Sequence, residues 1–180
     1  MRLRTARLLL RPFLPQDLEP FTALNADPEV MRYFPALRDE AETRAAMARN
    51  AALLATDGFA PWAINLPGTG WIGFCGLSVP TFSAPFTPCV EIGWRLARAH
   101  WGHGYATEAA VAALTDGFGR VGLRQVVAFT AIANHPSRRV MDRIGMVRDP
   151  TGDFDHPRIP SGHPLRRHVL YRISAPAAPG

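Results

Sequence analysis

Gly102, Gly104 and Ala106 lie where a run that reads as a strand gives way to one that reads as a helix, in the segment Ala99-His100-Trp101-Gly102-His103-Gly104-Tyr105-Ala106-Thr107-Glu108. Small residues at such a junction let a ligand come close to the backbone. The first turn of the helix carries unpaired N–H groups and a partial positive charge. Together these make an anion site suited to a pyrophosphate, to which Thr107 adds a hydroxyl. A Walker loop needs a lysine, and the chain contains none. The dinucleotide fingerprint needs a third glycine in the first strand–helix unit. Here Thr107 takes that place, and the motif comes past mid-chain.

The elements around this loop read as a mixed α/β chain. Arg7-Leu8-Leu9-Leu10-Arg11-Pro12 predicts a first strand, and Pro15-Gln16-Asp17 opens a short helix through Leu18, Phe21 and Leu24. Asp27-Pro28-Glu29 caps a turn carrying Val30, Met31, Tyr33 and Phe34. Asp39 begins an alanine-rich helix that runs to about Thr56 and stops at Asp57-Gly58. Its face of Ala45, Ala48, Ala52 and Ala55 is thin enough to pack close to a neighbour. Trp62–Leu66 and Trp71–Leu77 flank the turn Pro67-Gly68-Thr69-Gly70 as a hairpin. In Cys89–Leu96, Val90, Ile92, Trp94 and Leu96 alternate with Glu91, Gly93 and Arg95, the mark of a strand with two unlike faces. Gly93 predicts a bulge or a close backbone approach there.

The helix after the glycine loop carries Ala109, Ala113 and Phe118, and Gln125–Thr130 reads as a buried strand. Asn134-His135-Pro136-Ser137 starts another helix, with Val140 and Ile144 on one side and Gly145 at its end. A long loop from Asp149 to His163 precedes a last strand, His168–Ile173. A single domain over residues 1–174 is expected, with a disordered tail at 175–180. The Pro-rich loop Val79–Pro88 suggests no role beyond bordering the active site.

The segment Trp101-Gly102-His103-Gly104-Tyr105-Ala106 resembles the pyrophosphate loop of GCN5-related N-acetyltransferases (GNAT), Q/R-x-x-G-x-G/A. Its tryptophan is like that of the branch that acetylates ribosomal-protein N-termini (RimJ/RimL-like), whose loop reads W-G-x-G-Y-A-T-E-A. Four further segments resemble the family in the right order: Arg7-Leu8-Leu9-Leu10-Arg11-Pro12, Asp27-Pro28-Glu29-Val30-Met31, Val90-Glu91-Ile92-Gly93-Trp94, and Asn134 through Ser137, Arg139 and Val140 to Gly145-Met146. The resemblance implies a central mixed sheet of about seven strands, splayed in the middle and flanked by helices. It also implies acetyl-CoA as acyl donor and a primary amine as acceptor, joined by direct attack with both bound.

By the same resemblance, the backbone of Trp94, Arg95 and Leu96 would pair with the pantetheine arm, and one N–H would polarise the thioester carbonyl. The amides of Gly102, His103, Gly104, Tyr105, Ala106 and Thr107 would hold the pyrophosphate. Asn134 would bond the arm from the other side, and Arg138 or Arg139 would lie near the adenosine phosphate. Glu91 interrupts an apolar strand beside the expected thioester and is the first candidate for general base, against a structural carboxylate holding an arginine. His135 and His163 are its rivals. Ser137 is the candidate for assisting the leaving thiolate, against a role as helix cap. The family's tyrosine acid, four residues after the serine, is replaced by Met141, so that mechanism does not carry over. Tyr105 and Tyr171 are hydroxyls without an assigned place. Glu108 reads as support for the helix start.

The formal charge is +5 and all twenty Lys+Arg positions are arginine. The arginines are scattered, so a nucleic-acid arm is not expected, and neither is a membrane span. Cys75 and Cys89 form no CxxC pair, and the spacing of His156, His163 and His168 with Asp153 and Asp155 fits no metal site. A cytoplasmic enzyme is expected, with a homodimer through the hairpin and the alanine helix as one possible state. A non-catalytic acyl-CoA-binding module and a small-amine acetyltransferase are the alternatives.

Overall fold

A computed structural model of the chain describes residues 1–177, so the last three residues of the expected tail lie outside the described residues. Eight strands form one mixed sheet: β1 (Leu3–Arg4), β2 (Leu9–Arg11), β3 (Pro61–Leu66), β4 (Gly70–Ser78), β5 (Glu91–Leu96), β6 (Gln125–Ala131), β7 (Val147–Asp155) and β8 (Arg167–Ser174). Their order across the sheet is β1-β2-β3-β4-β5-β6-β8-β7. Every neighbouring pair is antiparallel except β5 with β6. The helices are α1 (Leu18–Ala26), α2 (Glu40–Asp57), α3 (Tyr105–Gly119) and α4 (His135–Arg143).

Two strands exceed the sequence expectation. β1 is two residues long, too short to leave a pattern. β7 occupies the first half of the presumed loop from Asp149. Pro150 and Gly152 hide it, and its register against β8 shifts between Asp149 and Phe154.

Two apolar layers cover the sheet. Ala109, Ala110 and Ala113 of α3 pack with Ile72, Cys75, Leu77, Ile92, Leu96 and Val126. These small residues let α3 lie close to the strands. On the other face, Phe21 and Leu24 of α1 and Ala46 of α2 pack with Phe13, Trp71 and Phe74. α2 starts as its sequence predicts: Asp39 accepts from the Glu42 N–H at 2.8 Å, and the Glu42 carboxylate accepts from the Asp39 N–H at 3.0 Å. Its alanine stripe, however, faces outward. Ala45, Ala48, Ala52 and Ala55 are all exposed, and Thr43 and Ala46 are the buried residues of the helix. Among the described residues, no helix is long and apolar enough to cross a membrane.

Candidate active site

β5 is the strand around which the site is built. On one side β4 pairs with it in unbroken register, from Ser78↔Glu91 to Gly73↔Leu96. On the other side the parallel pairing with β6 amounts to one residue pair, Glu91↔Val127, and the two strands then part. The Val127 N–H donates to the Val90 carbonyl at 2.9 Å. Backbone groups alternate direction along a strand, so those of Trp94 and Leu96 face the parted side. Those of Arg95 point to β4. Of the three residues expected along the pantetheine, two therefore offer backbone to the gap.

Gly93 holds no bulge: the register runs through it, and its φ is not positive. A Cβ placed there would meet nothing within 4 Å. Gly93 thus leaves an open slot between Glu91 and Arg95, which point to the same face of the strand.

The glycine loop follows β5 and is tied to it by Trp101, whose indole N–H donates to the Leu96 carbonyl at 2.8 Å. Gly102 and Gly104 both have φ 79°, a conformation that favours glycine. Gly104 is the N-cap of α3 and supplies no side-chain cap. Among the described residues no acceptor meets the N–H groups from Gly102 to Thr107. This is the geometry that binds an anion.

Arg7 completes the loop from nearly a hundred positions away in the chain. Its guanidinium donates to the His103 carbonyl at 3.0 Å and to Glu108 at 2.7 Å, and lies 4.7 Å from the Tyr105 ring centre. Thr5 Oγ1 and the Arg7 N–H also donate to Glu108, at 2.6 and 2.9 Å. Glu108 therefore clamps the β1–β2 turn onto the start of α3. We expect Arg7→Ala to raise the KM for acetyl-CoA by about fivefold with little change in kcat, because a charge-assisted contact near the phosphate site is lost. Steady-state kinetics with acetyl-CoA varied would check it.

Glu91 has one polar partner, the Ser78 hydroxyl, which donates to Oε1 at 2.9 Å. It forms no ion pair among the described residues, so it is not a structural carboxylate holding an arginine. Burial pushes its pKa up from the ordinary 4.5 to about 7, against the opposing effect of the Ser78 bond. A carboxyl with that pKa at the point where β5 and β6 separate is suited to accept a proton.

α4 starts beyond the end of β6. Asn134, not Ser137, is its cap: Asn134 Oδ1 accepts from the Ser137 N–H at 3.3 Å. The Asn134 side-chain amide donates to Thr130 Oγ1 at 2.9 Å with one of its two N–H groups. The Ser137 hydroxyl, the first-turn cap of one sequence reading, makes no hydrogen bond among the described residues. Met141 lies in the core at 2% exposure and supplies no acid. The Tyr171 hydroxyl accepts from Arg138 Nε at 3.4 Å, and Arg138 also donates to the Ile132 carbonyl at 3.1 Å. Arg139 is exposed and makes no such bond. His135 is exposed, and His163 Nδ1 accepts from the Leu165 N–H at 3.1 Å within its own loop.

The two loops without an assigned chemistry meet each other. Phe82 and Phe86 of the 79–88 loop pack against Phe129 of β6 and Phe154 of β7 with ring centres 4.8–6.0 Å apart. Arg158 donates to the Thr81 carbonyl at 2.7 Å and so ties the 156–166 loop to this wall. His156 lies 4.6 Å from Phe82 and 5.0 Å from His168. Burial first, then the charges of His168 and Arg158, push the His156 pKa down to about 4. Asp153 pairs with Arg148, and Asp155 with Arg166 and Arg167. These carboxylates are spent on arginines, and no metal-binding group of three or more His, Cys, Asp or Glu forms among the described residues.

The chain is similar to known proteins in sequence and in fold. The family model described as Acetyltransferase (GNAT) domain matches residues 7–147. The chain is 37% identical over 147 residues to YkkB of Bacillus subtilis (strain 168), spanning 81% of this chain and 84% of that protein. It is 34% identical over 152 residues to FsC-acetyl coenzyme A-N(2)-transacetylase of Aspergillus fumigatus, spanning 80% of this chain and 64% of that longer protein. Its fold matches RimL, a ribosomal L7/L12 alpha-N-protein acetyltransferase solved with coenzyme A. The TM-score is 0.76 across 97% of this chain and 98% of that one; at 18% identity this likeness is one of fold. The chain belongs to the GNAT acetyltransferase family and is an acetyl-CoA-dependent N-acetyltransferase.

Proposed function

We propose that the acceptor is an α-amine, in the first place a peptide N-terminus, and that Glu91 takes its proton directly or through one water. The observation that carries this reading is the Glu91 carboxyl, unpaired with any cation and with its pKa raised to about 7. A free α-amine has a pKa of ~7.7–8, so transfer to Glu91 is nearly level, whereas a lysine amine at ~10.4 would face a gap of about three pH units. On the donor side, the N–H groups of Gly102 to Thr107 would hold the pyrophosphate, with the exposed guanidinium of Arg139 near the adenosine phosphate. The β5 edge at Trp94 and Leu96 would hold the pantetheine, and one N–H there would polarise the thioester carbonyl. The unbonded Ser137 hydroxyl would donate to the leaving thiolate.

A small-molecule amine is the second reading, favoured by the Aspergillus fumigatus relative named for transfer to N(2) of FsC. Thiol release from acetyl-CoA across N-terminal peptides, amino acids, polyamines and aminoglycosides separates the two. Turnover with peptides supports the first reading, and turnover confined to small amines supports the second. Binding of acetyl-CoA with no turnover on any of them would place the acceptor outside both classes. Ser137→Ala should cost about three- to tenfold in kcat, since a thiolate of pKa ~8.5 leaves readily without help.

A further inference from the structure

Arg95 is a buried cation that no carboxylate meets among the described residues. It is 8% exposed, and Nε is buried with no acceptor. Its Nη1 donates to the Asn25 side-chain oxygen, and its guanidinium lies 4.1 Å from the Phe34 ring centre and 5.4 Å from that of Phe74. Arg11 makes the contrast. It is similarly buried at 7%, but Asp17 meets it with both oxygens, at 2.6 and 2.8 Å. A charge withdrawn from water without a counter-charge is expensive, so Arg95 is a place where the protein lacks an anion.

The surroundings deepen that lack. The Arg38 N–H donates to the Asn25 carbonyl at 3.1 Å, so one residue joins the two arginines. Burial and then the Arg38 charge push the Arg95 pKa down to about 9. Burial lowers the pKa of Arg38 as well; Glu42 partly offsets this, and the charges of Arg49 and Arg158 add to it. Arg38, Glu42, Ala45 and Arg49 line a surface cavity of about 260 Å³. The Glu42 carboxylate already accepts the Asp39 N–H. Among the described residues, none of Arg38, Arg49, Arg95 and Arg158 forms an ion pair.

Gly93 leaves the face of β5 open between Glu91 and Arg95. Four residues of strand separate Glu91 from Arg95, about 13 Å. An extended peptide with its amine at Glu91 advances at the same rate, so its fourth or fifth side chain arrives near Arg95. We propose that the preferred acceptor is a peptide N-terminus with Asp or Glu at its fourth or fifth position, whose carboxylate is bound by Arg95, Arg38 and Arg158. This rests on the reading that the Glu91 face receives an α-amine.

The test uses the full chain, saturating acetyl-CoA and C-terminally amidated peptides in pairs that differ by Asp against Asn at position four or five. The acidic member should show a kcat/KM about tenfold higher or more, carried by KM and shrinking as salt rises. In Arg158→Gln and Arg38→Gln the acid-to-amide ratio should collapse toward one. Arg158 is exposed, so its variant is expected to fold. Equal use of both members, or a ratio unchanged in both variants, overturns the proposal. If no peptide turns over, calorimetry of the same pairs on the CoA-loaded protein decides, and equal binding overturns it too. The underlying reading fails in a different way, by acetylation of some non-peptide amine while peptides of both kinds stay inert.

Discussion

Glu91→Gln should lower kcat/KM by about a hundredfold or more, and above neutral pH it should make the protein more stable. Both effects follow from one displaced proton equilibrium. As a base, Glu91 must be ionised, so the wild-type rate should rise with pH through about 7 and then level. Gln keeps the shape and can still accept from Ser78, which now donates at 2.9 Å, but it takes no proton. The rise through about 7 should vanish, leaving the titration of the acceptor amine.

The stability effect has a definite sign. The folded pKa of Glu91 is about 7 and its ordinary value 4.5, so the folded state binds the proton more tightly than the unfolded state. That contribution is fully present below 4.5 and is lost as pH rises through 7. Above pH 7 the buried carboxylate costs about 3 kcal/mol, at ~1.4 kcal/mol per pH unit of displacement. Removing the charge at pH 8 should therefore raise Tm by about 5 °C or more in a chain of this size, and the gain should disappear near pH 4. A carboxylate with a structural role would behave oppositely, and a Tm that falls at pH 8 would sink the assignment.

How much of this was readable in advance depended on how local each signal is. The Asp39–Glu42 box, the hairpin turn at Gly68 and the loop at Gly102–Gly104 are short-range features, and each appears where its spacing predicts. Glu91 could be singled out because one carboxylate in an apolar strand is conspicuous. Arg7 could not, since it meets Glu108 across 101 residues of chain. Arg95 reads as an ordinary polar-face residue, because a strand's alternation does not reveal that α1 and the Phe34 turn will cover it. Phe82 and Phe86 sit among prolines and serines and acquire meaning only when β6 and β7 bring Phe129 and Phe154 against them. The outward alanine stripe of α2 shows the converse. Regular spacing gives a face, but which face is buried was decided by Thr43, whose hydroxyl accepts from Asn25 at 2.9 Å.

Gly73→Ala should be the most damaging conservative change in the sheet, costing about 4 kcal/mol or more. Gly73 pairs with Leu96 across β4 and β5, at φ 150°. A Cβ there would stand 2.3 Å from the Arg95 carbonyl oxygen and 2.8 Å from the Leu96 Cα. These are backbone atoms, so relief requires β5 itself to move. That strand carries the Trp94 and Leu96 edge on one side and the Glu91–Gly93–Arg95 slot on its face, so loss of acetyl-CoA affinity should accompany loss of stability. Gly68→Ala is the control. Its φ is 81°, but a Cβ meets nothing within 4 Å, so it should cost only the conformational strain, about 1–2 kcal/mol. Urea midpoints of the two variants separate collision from strain. A Gly73 variant that melts with the Gly68 variant would mean that β4 and β5 have room to part, and then the unbroken β4–β5 register could not be what fixes the position of the site.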